Sequence, residues 1–399
     1  MENSILFPRE PSRFSMIRDE DAKEVQRLFI HCKSVPGLSD IYIKSGRPIK
    51  ARVHGKIKSV TSRILDHAEV RDILVMMYGG NNAEIEVRKK PLDNAYSIRV
   101  DRDTTLRYRW SATGTEYNGN FAIAIVLREL PAVPPRLDKT HFQEGLFDSL
   151  FTERGLVLIC GETGSGKSTL MAGIVTEIML DPESNAHIIE YAAPIEFVYD
   201  EIQKISPSCE VDQSAVPDHL GSFADGIRNS LRRDPDIILI GESRDAETIK
   251  AALLASQTGH AVYTTLHSST VPTTFLRLIQ TLPVEEMNSV LGSLIDMIQV
   301  VLCQELIPSL DGKRVPLREW LVINDDMRRE MLKAASQNVM TLPYVVGELV
   351  SKYGMTRLRN AELLAEKGLI DPMYVDKERL AQQKLVINNE LISGNSGGE

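Results

Sequence analysis

Hydrophobic and polar residues alternate along much of the first 130 residues, in the manner of short strands. Residues 39–60 read SDIYIKSGRPIKARVHGKIKSV, which places Ile41 and Ile43 on one face of a strand. Serine-glycine and histidine-glycine pairs within this stretch supply turns. Further strands are predicted in the segments YSIRVD, TLRYRWSATG and NFAIAIVLREL.

Helical spacing of apolar residues occurs twice in the same region. A short helix over Asp19–Ile30 would carry Val25, Leu28 and Phe29 on one side, and a second helix is predicted over His67–Tyr78. Strands and helices mixed in this way indicate an α+β domain, which we assign to residues 1–130.

The pattern changes after a proline-rich stretch. Pro131, Pro134 and Pro135 fix φ and lack an N–H, so residues 131–140 are predicted to be an interdomain linker. Beyond it, helical stretches separate four apolar runs, which predicts a parallel sheet covered on both faces. Those runs are GLVLIC, AHIIEY, DIILIG and AVYTTL.

The C-terminal part of the chain is predicted to be helical and to end in a flexible tail. From about residue 283 onward the pattern is mostly helical, and it belongs to a second domain over residues 141–390. The last residues, 391–399, are rich in glycine and serine and are predicted to be a flexible tail.

A glycine-rich segment joins the first apolar run to a helix. The sequence GETGSGKST matches the P-loop pattern in the strand-then-helix context that the pattern requires. Its glycines permit positive φ and let backbone N–H groups converge on phosphate oxygens. Lys167 is placed to neutralise the β- and γ-phosphates, and Ser168 to ligate Mg²⁺. The candidate ATP-binding residues are Gly161, Glu162, Thr163, Gly164, Ser165, Gly166, Lys167, Ser168 and Thr169.

Acidic residues follow the third apolar run, at the carboxyl-end rim where ligands of parallel sheets collect. Asp236 opens this strand and Glu242 follows its end, where Glu242 could hold Mg²⁺ through water or orient the nucleophile. The structural alternative is that Glu242 caps the next helix, a role for which Asp245 competes.

The second run, HIIEYAAPIEFVYD, carries Glu190 inside the strand and Glu196 after it. A carboxylate on this rim can polarise the attacking water. His260 and His267 bracket the fourth run, and a histidine at a strand end can sense a γ-phosphate. Each of these residues is a weak signal when taken alone.

Composition narrows the classes of function. The chain has 46 basic and 55 acidic residues and a net charge of −9, which disfavours stable nucleic-acid binding. Four scattered cysteines without a metal-ligand spacing are expected to be buried and reduced. We find neither a signal peptide nor an apolar run long enough to span a membrane, so a soluble protein that docks at membranes through partners is expected.

Together the motifs resemble the PilT and GspE superfamily of secretion ATPases. Four segments occur in the order of that superfamily: Walker A GETGSGKST, aspartate-box region APIEFVYD, Walker B DPDIILIGESRD and histidine box TGHAVYTTLHS. The resemblance covers about residues 35–310, including an N-terminal part that is similar to the superfamily's PAS-like domain. The segment EYAAPIEFVYD is most similar to the members that serve type IVB (Dot/Icm) secretion and conjugation.

The resemblance implies a RecA-like ATPase domain behind a smaller PAS-like domain, assembled as a homo-hexamer. It also implies ATP and Mg²⁺ as cofactors, a cytoplasmic location and inner-membrane secretion components as partners. By this resemblance Glu196 is the catalytic glutamate, Glu242 the Walker B glutamate and also a metal-site residue, and His267 the histidine-box residue. Arg107, Arg109 and Arg128 match N-domain arginines that lie near the nucleotide.

Arg107 and Arg109 lie two residues apart on a predicted strand, so they face the same side and could reach one ligand together. Tyr108 and Trp110 would then face the core. The alternative is that a nearby carboxylate, Asp101 or Asp103, pairs with the two arginines.

One departure from the superfamily bears on function. Alanines, Ala192 and Ala193, stand where an acidic pair is usual, before the proline of PIEF. The leading hypothesis is an ATP-hydrolysing secretion or conjugation motor. An ATP-binding assembly hub and a pilus-retraction motor are the alternatives, and a nucleic-acid motor or a GTPase is disfavoured.

Overall fold

The computed structural model describes residues 6–8, 10–11, 13–14, 19–101, 105–131 and 133–394. The chain forms two compact units. Unit 1 comprises Met1–Val133 together with Ala193–Val198, and unit 2 comprises Pro134–Ala192 together with Tyr199–Glu399.

Unit 1 contains three helices and six strands among its described residues. In chain order they are α1 (Asp19–Ser34), β1 (Leu38–Lys44), β2 (Lys50–Val53), β3 (Lys56–Ser59), α2 (His67–Tyr78), α3 (Ala83–Lys89), β4 (Leu92–Arg99), β5 (Thr105–Tyr117) and β6 (Asn120–Leu130). The strands form one antiparallel sheet in the order β3-β2-β1-β6-β5-β4. The α+β class predicted for this region is therefore confirmed.

One face of this sheet packs against the helices. Tyr108 and Trp110 of β5 are fully buried, as predicted, and so is Phe29 of α1. The Tyr108 hydroxyl donates to the Phe29 carbonyl oxygen at 2.9 Å, which joins the sheet to α1 across the core.

Local signals define α2 over the range that the sequence predicts. Asp66 accepts from the backbone N–H of Glu69, while the Glu69 carboxylate accepts from the backbone N–H of Asp66. Such a reciprocal cap satisfies two N–H groups that the first turn leaves without helical partners. Gly79 ends the helix with φ of 76°, a left-handed conformation that favours glycine.

Unit 2 begins with a helical turn at Lys139–His141 and contains α4 to α14 and β7 to β13. Its first elements are α4 (Leu146–Ser149), β7 (Gly155–Cys160), α5 (Lys167–Leu180), β8 (His187–Ala192), α6 (Asp200–Gln203), β9 (Glu210–Ala215), α7 (Phe223–Ser230), β10 (Ile237–Ile240) and α8 (Ala246–Gln257). The remaining elements are β11 (Ala261–Leu266), α9 (Val271–Thr281), α10 (Met287–Met297), β12 (Ile298–Pro308), β13 (Arg314–Val322), α11 (Asp325–Gln337), α12 (Leu342–Tyr353), α13 (Arg357–Glu366) and α14 (Met373–Gly394). A second helical turn, Val339–Thr341, precedes α12.

The strands of unit 2 form one sheet in the order β13-β12-β7-β11-β10-β8-β9. Each neighbouring pair from β12 to β9 is parallel, and β13 is antiparallel to β12. All residues of β7, β10 and β11 are buried, which explains their near-continuous apolar sequences. The predicted parallel sheet is confirmed, with β7, β8, β10 and β11 formed by the four apolar runs.

The prediction of mostly helical structure from residue 283 was wrong for β12 and β13. A continuous apolar run such as VVLC has no period that separates a buried strand from a buried helix. Here pairing with β7 decides in favour of the strand. Strand β9 was also not predicted, because its EVDQSA sequence is polar.

The four cysteines, Cys32, Cys160, Cys209 and Cys303, are free and buried, as expected from their scattered positions. At the C-terminus, α14 continues through Gly394, so the start of the predicted tail is helical. The rest of that tail, residues 395–399, lies outside the described residues.

Candidate nucleotide site

The carboxyl ends of three neighbouring strands bring candidate residues of unit 2 together. The P-loop follows β7, His267 follows β11 and Glu242 lies two residues beyond β10, in the spatial order β7-β11-β10. Backbone hydrogen bonds continue past the strand ends, because Gly161 N donates to Leu266 O at 3.2 Å and Ser243 N donates to Thr265 O at 3.0 Å. The loops that carry the candidates are therefore held side by side.

Glycine is required at two P-loop positions by the close approach of β12. A Cβ on Gly161 would lie 2.3 Å from Gln304 O, and a Cβ on Gly166 would lie 2.9 Å from Gln304 Nε2. Both glycines also have positive φ, 151° and 86°. At Gly164, by contrast, no described atom lies within 4 Å of the Cβ position, so the loop is open on that side.

This geometry fits a bound phosphate group. The loop leads directly into α5, a helix of 14 residues whose first backbone N–H groups lack helical acceptors. Lys167 is the first residue of α5, and its Nζ donates to the carbonyl oxygens of Gly161 and Glu162 at 2.8 and 2.9 Å. The ammonium group therefore lies over the loop, where it can neutralise a phosphate.

Glu242 is the centre of a charged group at the end of β10. One carboxylate oxygen lies 2.5 Å from Nη2 of Arg244, and the other lies 3.2 Å from Nε2 of His267. The hydrogen bond to Glu242 raises the pKa of Arg244. Arg244 was not among the predicted site residues, although it lies only two residues after Glu242 in the sequence.

His267 has a pKa below its ordinary value. Burial is the largest cause, the Lys167 charge adds to it, and the Glu242 carboxylate opposes it. A neutral imidazole is thus favoured beside the lysine, and such an imidazole donates one hydrogen bond from one ring nitrogen and accepts one at the other.

The structural alternatives are resolved by hydrogen bonds. Asp245 caps α8, because its carboxylate accepts from Thr248 N at 2.8 Å, so Glu242 is not required as the cap. His260 packs at the other end of β11, and its Nδ1 lies 2.9 Å from Ala255 O. Of the two histidines that bracket this strand, His267 is the one near the P-loop.

A buried pair of side chains supports the P-loop from below. Gln304 of β12 donates from Nε2 to Ser165 O at 2.7 Å, and its Oε1 accepts from Arg318 Nε at 3.0 Å. Arg318 is almost fully buried, its guanidinium lies 4.2 Å from the Phe142 ring centre, and burial lowers its pKa to about 10. Sequence reasoning missed both residues because it predicted no strand at their positions.

The other candidates belong to unit 1. Residues 193–198 group with this unit although they follow β8 in sequence, and they include Glu196. Arg107 is buried, and its guanidinium donates to Ile195 O at 3.0 Å and to Glu196 O at 3.1 Å. Arg107 therefore holds the backbone of the segment that carries Glu196.

Arg109 has a different environment from Arg107. Its side chain is 44% exposed, and Nε lies 3.5 Å from Asp93 Oδ1. The two arginines therefore have different partners in this structure, because the Arg107 guanidinium is bound to backbone carbonyls. Their predicted contact with one ligand stays a prediction. Asp103, one of the carboxylates proposed as a partner, lies outside the described residues.

Arg128 lies directly opposite Arg109 in the pairing of β5 with β6. Like charges in this position repel each other. Asp40, opposite Arg128 on the other neighbouring strand β1, offsets this charge, since its Oδ1 accepts from Nε and Nη2 of Arg128 at 2.9 and 2.8 Å. The Arg128 side chain remains 70% exposed, so it stays accessible on this face of the sheet despite its pairing with Asp40.

Glu190, the acidic residue within β8, is bound to the neighbouring strand. Its carboxylate accepts from Gln213 Nε2 of β9 at 2.5 Å.

The two alanines that replace the usual acidic pair lie at the end of β8. Ala192 ends the strand in a buried position, and Ala193 is exposed. Neither alanine can ligate a metal, so Ser168 and Glu242 remain the candidates for Mg²⁺. Among the described residues, no three histidine, cysteine or acidic side chains form a metal cluster.

A parallel sheet, a P-loop and a rim with a lysine, a glutamate and a histidine define a P-loop nucleotide-binding protein. A family model described as Type II/IV secretion system protein matches residues 29–347. The chain belongs to this family of secretion and pilus ATPases.

The similarity to individual proteins extends over most of the chain. The type IV pilus retraction ATPase PilT of Pseudomonas aeruginosa is 32% identical over 340 residues, which are 82% of this chain and 93% of that protein. The crystal structure of the Legionella pneumophila ATPase DotB is similar with a TM-score of 0.84 and 38% identity, covering 97% of this chain and 100% of that one.

The crystal structure of the pilus retraction motor PilT with bound ADP has a TM-score of 0.71 and 29% identity, covering 88% of this chain and 96% of that one. The resemblance to the PilT and GspE superfamily is therefore confirmed, and so is the likeness to its Dot/Icm branch. In the part of the chain that the structure describes, every helix is too short or too polar to span a membrane.

Proposed function

We propose that this chain hydrolyses ATP. The main support is the group of side chains at the carboxyl-end rim of the sheet in unit 2. Lys167, Glu242 and His267 lie there at the ends of adjacent parallel strands, beside a loop whose glycine conformations suit a phosphate. Phosphoryl transfer depends on positioning and on neutralising charge, and this rim offers groups for both.

The residues present fit ATP and Mg²⁺ in the following way. The P-loop backbone N–H groups and Lys167 would bind the phosphates, and the Ser168 hydroxyl would ligate Mg²⁺ with Glu242 in support. When bound, Mg²⁺ supplies charge neutralisation at the β- and γ-phosphates. His267, kept neutral by burial and by Lys167, would accept or donate a hydrogen bond near the terminal phosphate.

Glu196 is the proposed general base, and unit 1 contributes its support. Arg107 fixes the backbone of Ile195 and Glu196 by two hydrogen bonds, so we assign Arg107 a positioning role. Arg109 and Arg128 are partly exposed on the same sheet face and are the proposed arginines that stabilise negative charge in the transition state.

At the level of the cell, we propose a cytoplasmic homo-hexamer that works at the inner membrane with components of a Dot/Icm-like secretion or conjugation apparatus. Nucleotide-driven closure of the two units would supply the movement. Support comes from the likeness to the ATPase DotB over nearly the whole chain. The identity to PilT makes a pilus-retraction motor the second candidate.

Phosphate release from the purified chain tests the enzymatic part. Lys167→Ala should abolish hydrolysis and weaken ATP binding while leaving the fold intact, because Lys167 is not a core residue. Lys333→Ala, an exposed lysine on α11, is the matched control and should match the wild type. Hydrolysis by Lys167→Ala near the wild-type rate would show that the P-loop assignment is wrong.

Two measurements separate the alternatives. ATP binding and hexamer formation without measurable phosphate release would favour the assembly hub over the motor. Deleting the gene and assaying both effector secretion and twitching motility distinguishes the two machines. Loss of twitching with secretion intact would replace the Dot/Icm-like role by pilus retraction.

A further inference from the structure

A second cavity lies in unit 2, outside the nucleotide site. Its volume is ≈ 820 Å³, within the range of ligand pockets. Its wall is built from the segment after the Lys139–His141 turn, the hairpin between β12 and β13, and the region from the end of α12 through α13. None of the residues assigned above to nucleotide binding or catalysis lines it.

The wall contains buried donors without acceptors. Trp320 Nε1 and Asn360 Nδ2 have no hydrogen-bond partner in the described part of the chain, and Asn360 is fully buried. A buried N–H without an acceptor is unfavourable, so the polar groups in the wall of this cavity are not fully satisfied. Gln143 Oε1, in the same wall, also lacks a partner there.

The mouth of the cavity is basic. Arg314, Arg359 and Lys367 are exposed lining residues, and none forms an ion pair with a described carboxylate. Lys313 and Asp311 neutralise each other at 3.5 Å, which leaves Glu144 as the remaining acidic lining residue. A cluster of unpaired cations on a chain of net charge −9 favours an anionic occupant.

Apolar side chains surround the same mouth. Tyr353 is 53% exposed and Leu369 is 37% exposed, and both line the cavity. Leu310, 64% exposed, adjoins them through its backbone hydrogen bond to Leu369. A small anion would leave these residues in water, whereas a polypeptide would cover them while its carboxylate meets the cations.

We propose that this cavity is a docking site for a segment of a partner protein that presents acidic side chains flanked by apolar ones. The carboxylate oxygens accept from Arg359 and Lys367 at the mouth. The apolar side chains cover Tyr353, Leu369 and Leu310.

Hydrogen bonds connect the wall of this cavity to the nucleotide-binding loop. Asn360 Oδ1 accepts from Arg318 N at 2.7 Å, and the Arg318 guanidinium contacts both Gln304 and the Phe142 ring that lines the cavity. Three hydrogen bonds thus connect the cavity wall to the P-loop carbonyl of Ser165. The proposed docking site is separate from the nucleotide site but is connected to it by these three hydrogen bonds.

A display selection on the purified full-length protein tests the proposal. Random peptides of about 12 residues, the length of a short extended recognition segment, are selected on the wild type and counter-selected on Arg359→Glu/Lys367→Glu. Enriched peptides should combine acidic and apolar residues and bind the double variant at least about tenfold more weakly. They should bind Lys333→Glu, a single charge reversal on α11 away from the cavity, as tightly as the wild type.

Tryptophan emission locates the binding. The chain has two tryptophans, and Trp110 is buried in the core of unit 1, so a change on peptide binding that disappears in Trp320→Phe reports the cavity. Replacing the peptide's acidic residues by lysine should move its preference to the double variant. A selection that yields no acidic peptide dependent on these cations overturns the proposal. So does saturable binding of inorganic phosphate alone that produces the same emission change, because a small anion would then be the occupant.

Discussion

Gln304 joins the nucleotide loop to a buried arginine. Its Nε2 donates to Ser165 O at 2.7 Å and its Oε1 accepts from Arg318 Nε at 3.0 Å, so the amide satisfies one group on each side. The same residue excludes a Cβ at Gly161 and Gly166. The shape of the P-loop thus depends on β12 as well as on the motif itself.

Gln304→Ala should destabilise the loop and weaken ATP binding. The substitution leaves the Ser165 carbonyl and the Arg318 guanidinium without this partner in a buried region, at a cost of about 1–3 kcal/mol. We expect a lower free energy of unfolding by chemical denaturation and a raised Kd for ATP. Gln280→Ala, an exposed glutamine on α9, is the control and should change neither quantity.

Gln304→Glu distinguishes the two hydrogen bonds. A carboxylate keeps the acceptor for Arg318 but cannot donate to Ser165 O, so ATP binding should weaken while the Arg318 interaction is retained. If both variants bind ATP as tightly as the wild type, Gln304 has no part in shaping the P-loop.

Glu196→Gln should bind ATP and hydrolyse it poorly. Loss of a general base typically lowers turnover by about 10²–10⁴-fold, while the uncharged amide keeps the size of the side chain. Single-turnover phosphate release and ATP titration measure the two effects separately. Glu242→Gln is the comparison, since Glu242 is the other carboxylate proposed for the site. If Glu196→Gln retains turnover and Glu242→Gln loses it, the general base is Glu242, which follows β10, and not Glu196.

Much of this arrangement could be predicted from the sequence. The P-loop, the apolar strands β7, β8, β10 and β11, and the alternation in β5 are local patterns, and local patterns determine these elements. The order of the strands could not be predicted in this way, although that order places His267 beside the P-loop and Glu242 beyond it.

Residues whose role depends on long-range packing were the ones missed. Gln304 follows an apolar run in β12 whose period does not separate strand from helix, and Arg318 lies in β13, which was not predicted. Each has a partner that is distant in sequence, Ser165 for Gln304 and Asn360 for Arg318. The pairing of Arg107 with the Glu196 segment was missed for the same reason, since 89 residues separate the hydrogen-bonded groups. A sequence pattern indicates which face a side chain occupies, but not which partner lies there.

Stability should depend on the protonation of Glu319. Burial raises its pKa from 4.5 to about 7, while the backbone N–H of Val271 and the charge of Arg357 oppose the shift and Glu378 adds to it. Because the folded pKa exceeds the unfolded one, this contribution to stability is fully present below about pH 4.5 and is lost as the pH rises through about 7.

Melting temperatures of the wild type and of Glu319→Gln, measured from about pH 5 to about pH 8, test this sign. The wild type should lose stability relative to the variant as the pH rises, since glutamine cannot ionise and still accepts from Val271. Glu330→Gln, an exposed glutamate on α11, should follow the wild type across the range. A difference in melting temperature between the wild type and Glu319→Gln that does not change with pH would contradict the prediction.

Arg107 and Arg109 should respond differently to truncation, because one is bound to a backbone segment and the other is exposed. Arg107→Ala removes two hydrogen bonds to the carbonyls of Ile195 and Glu196, so it should lower both the melting temperature and turnover. Arg109→Ala removes a side chain that is 44% exposed, so the melting temperature should change little.

The kinetics of Arg109→Ala then decide its role. An arginine that stabilises transition-state charge can contribute about 10³–10⁵ in turnover in P-loop enzymes, while ATP affinity changes much less. Ser97→Ala, on the neighbouring strand β4 and opposite Arg107, controls for disturbance of the sheet. If Arg109→Ala retains full turnover while Arg107→Ala loses it, the positioning of Glu196 is the catalytic contribution of β5. Charge stabilisation would then have to come from Arg128 or from unit 2, where Arg244 already lies against Glu242.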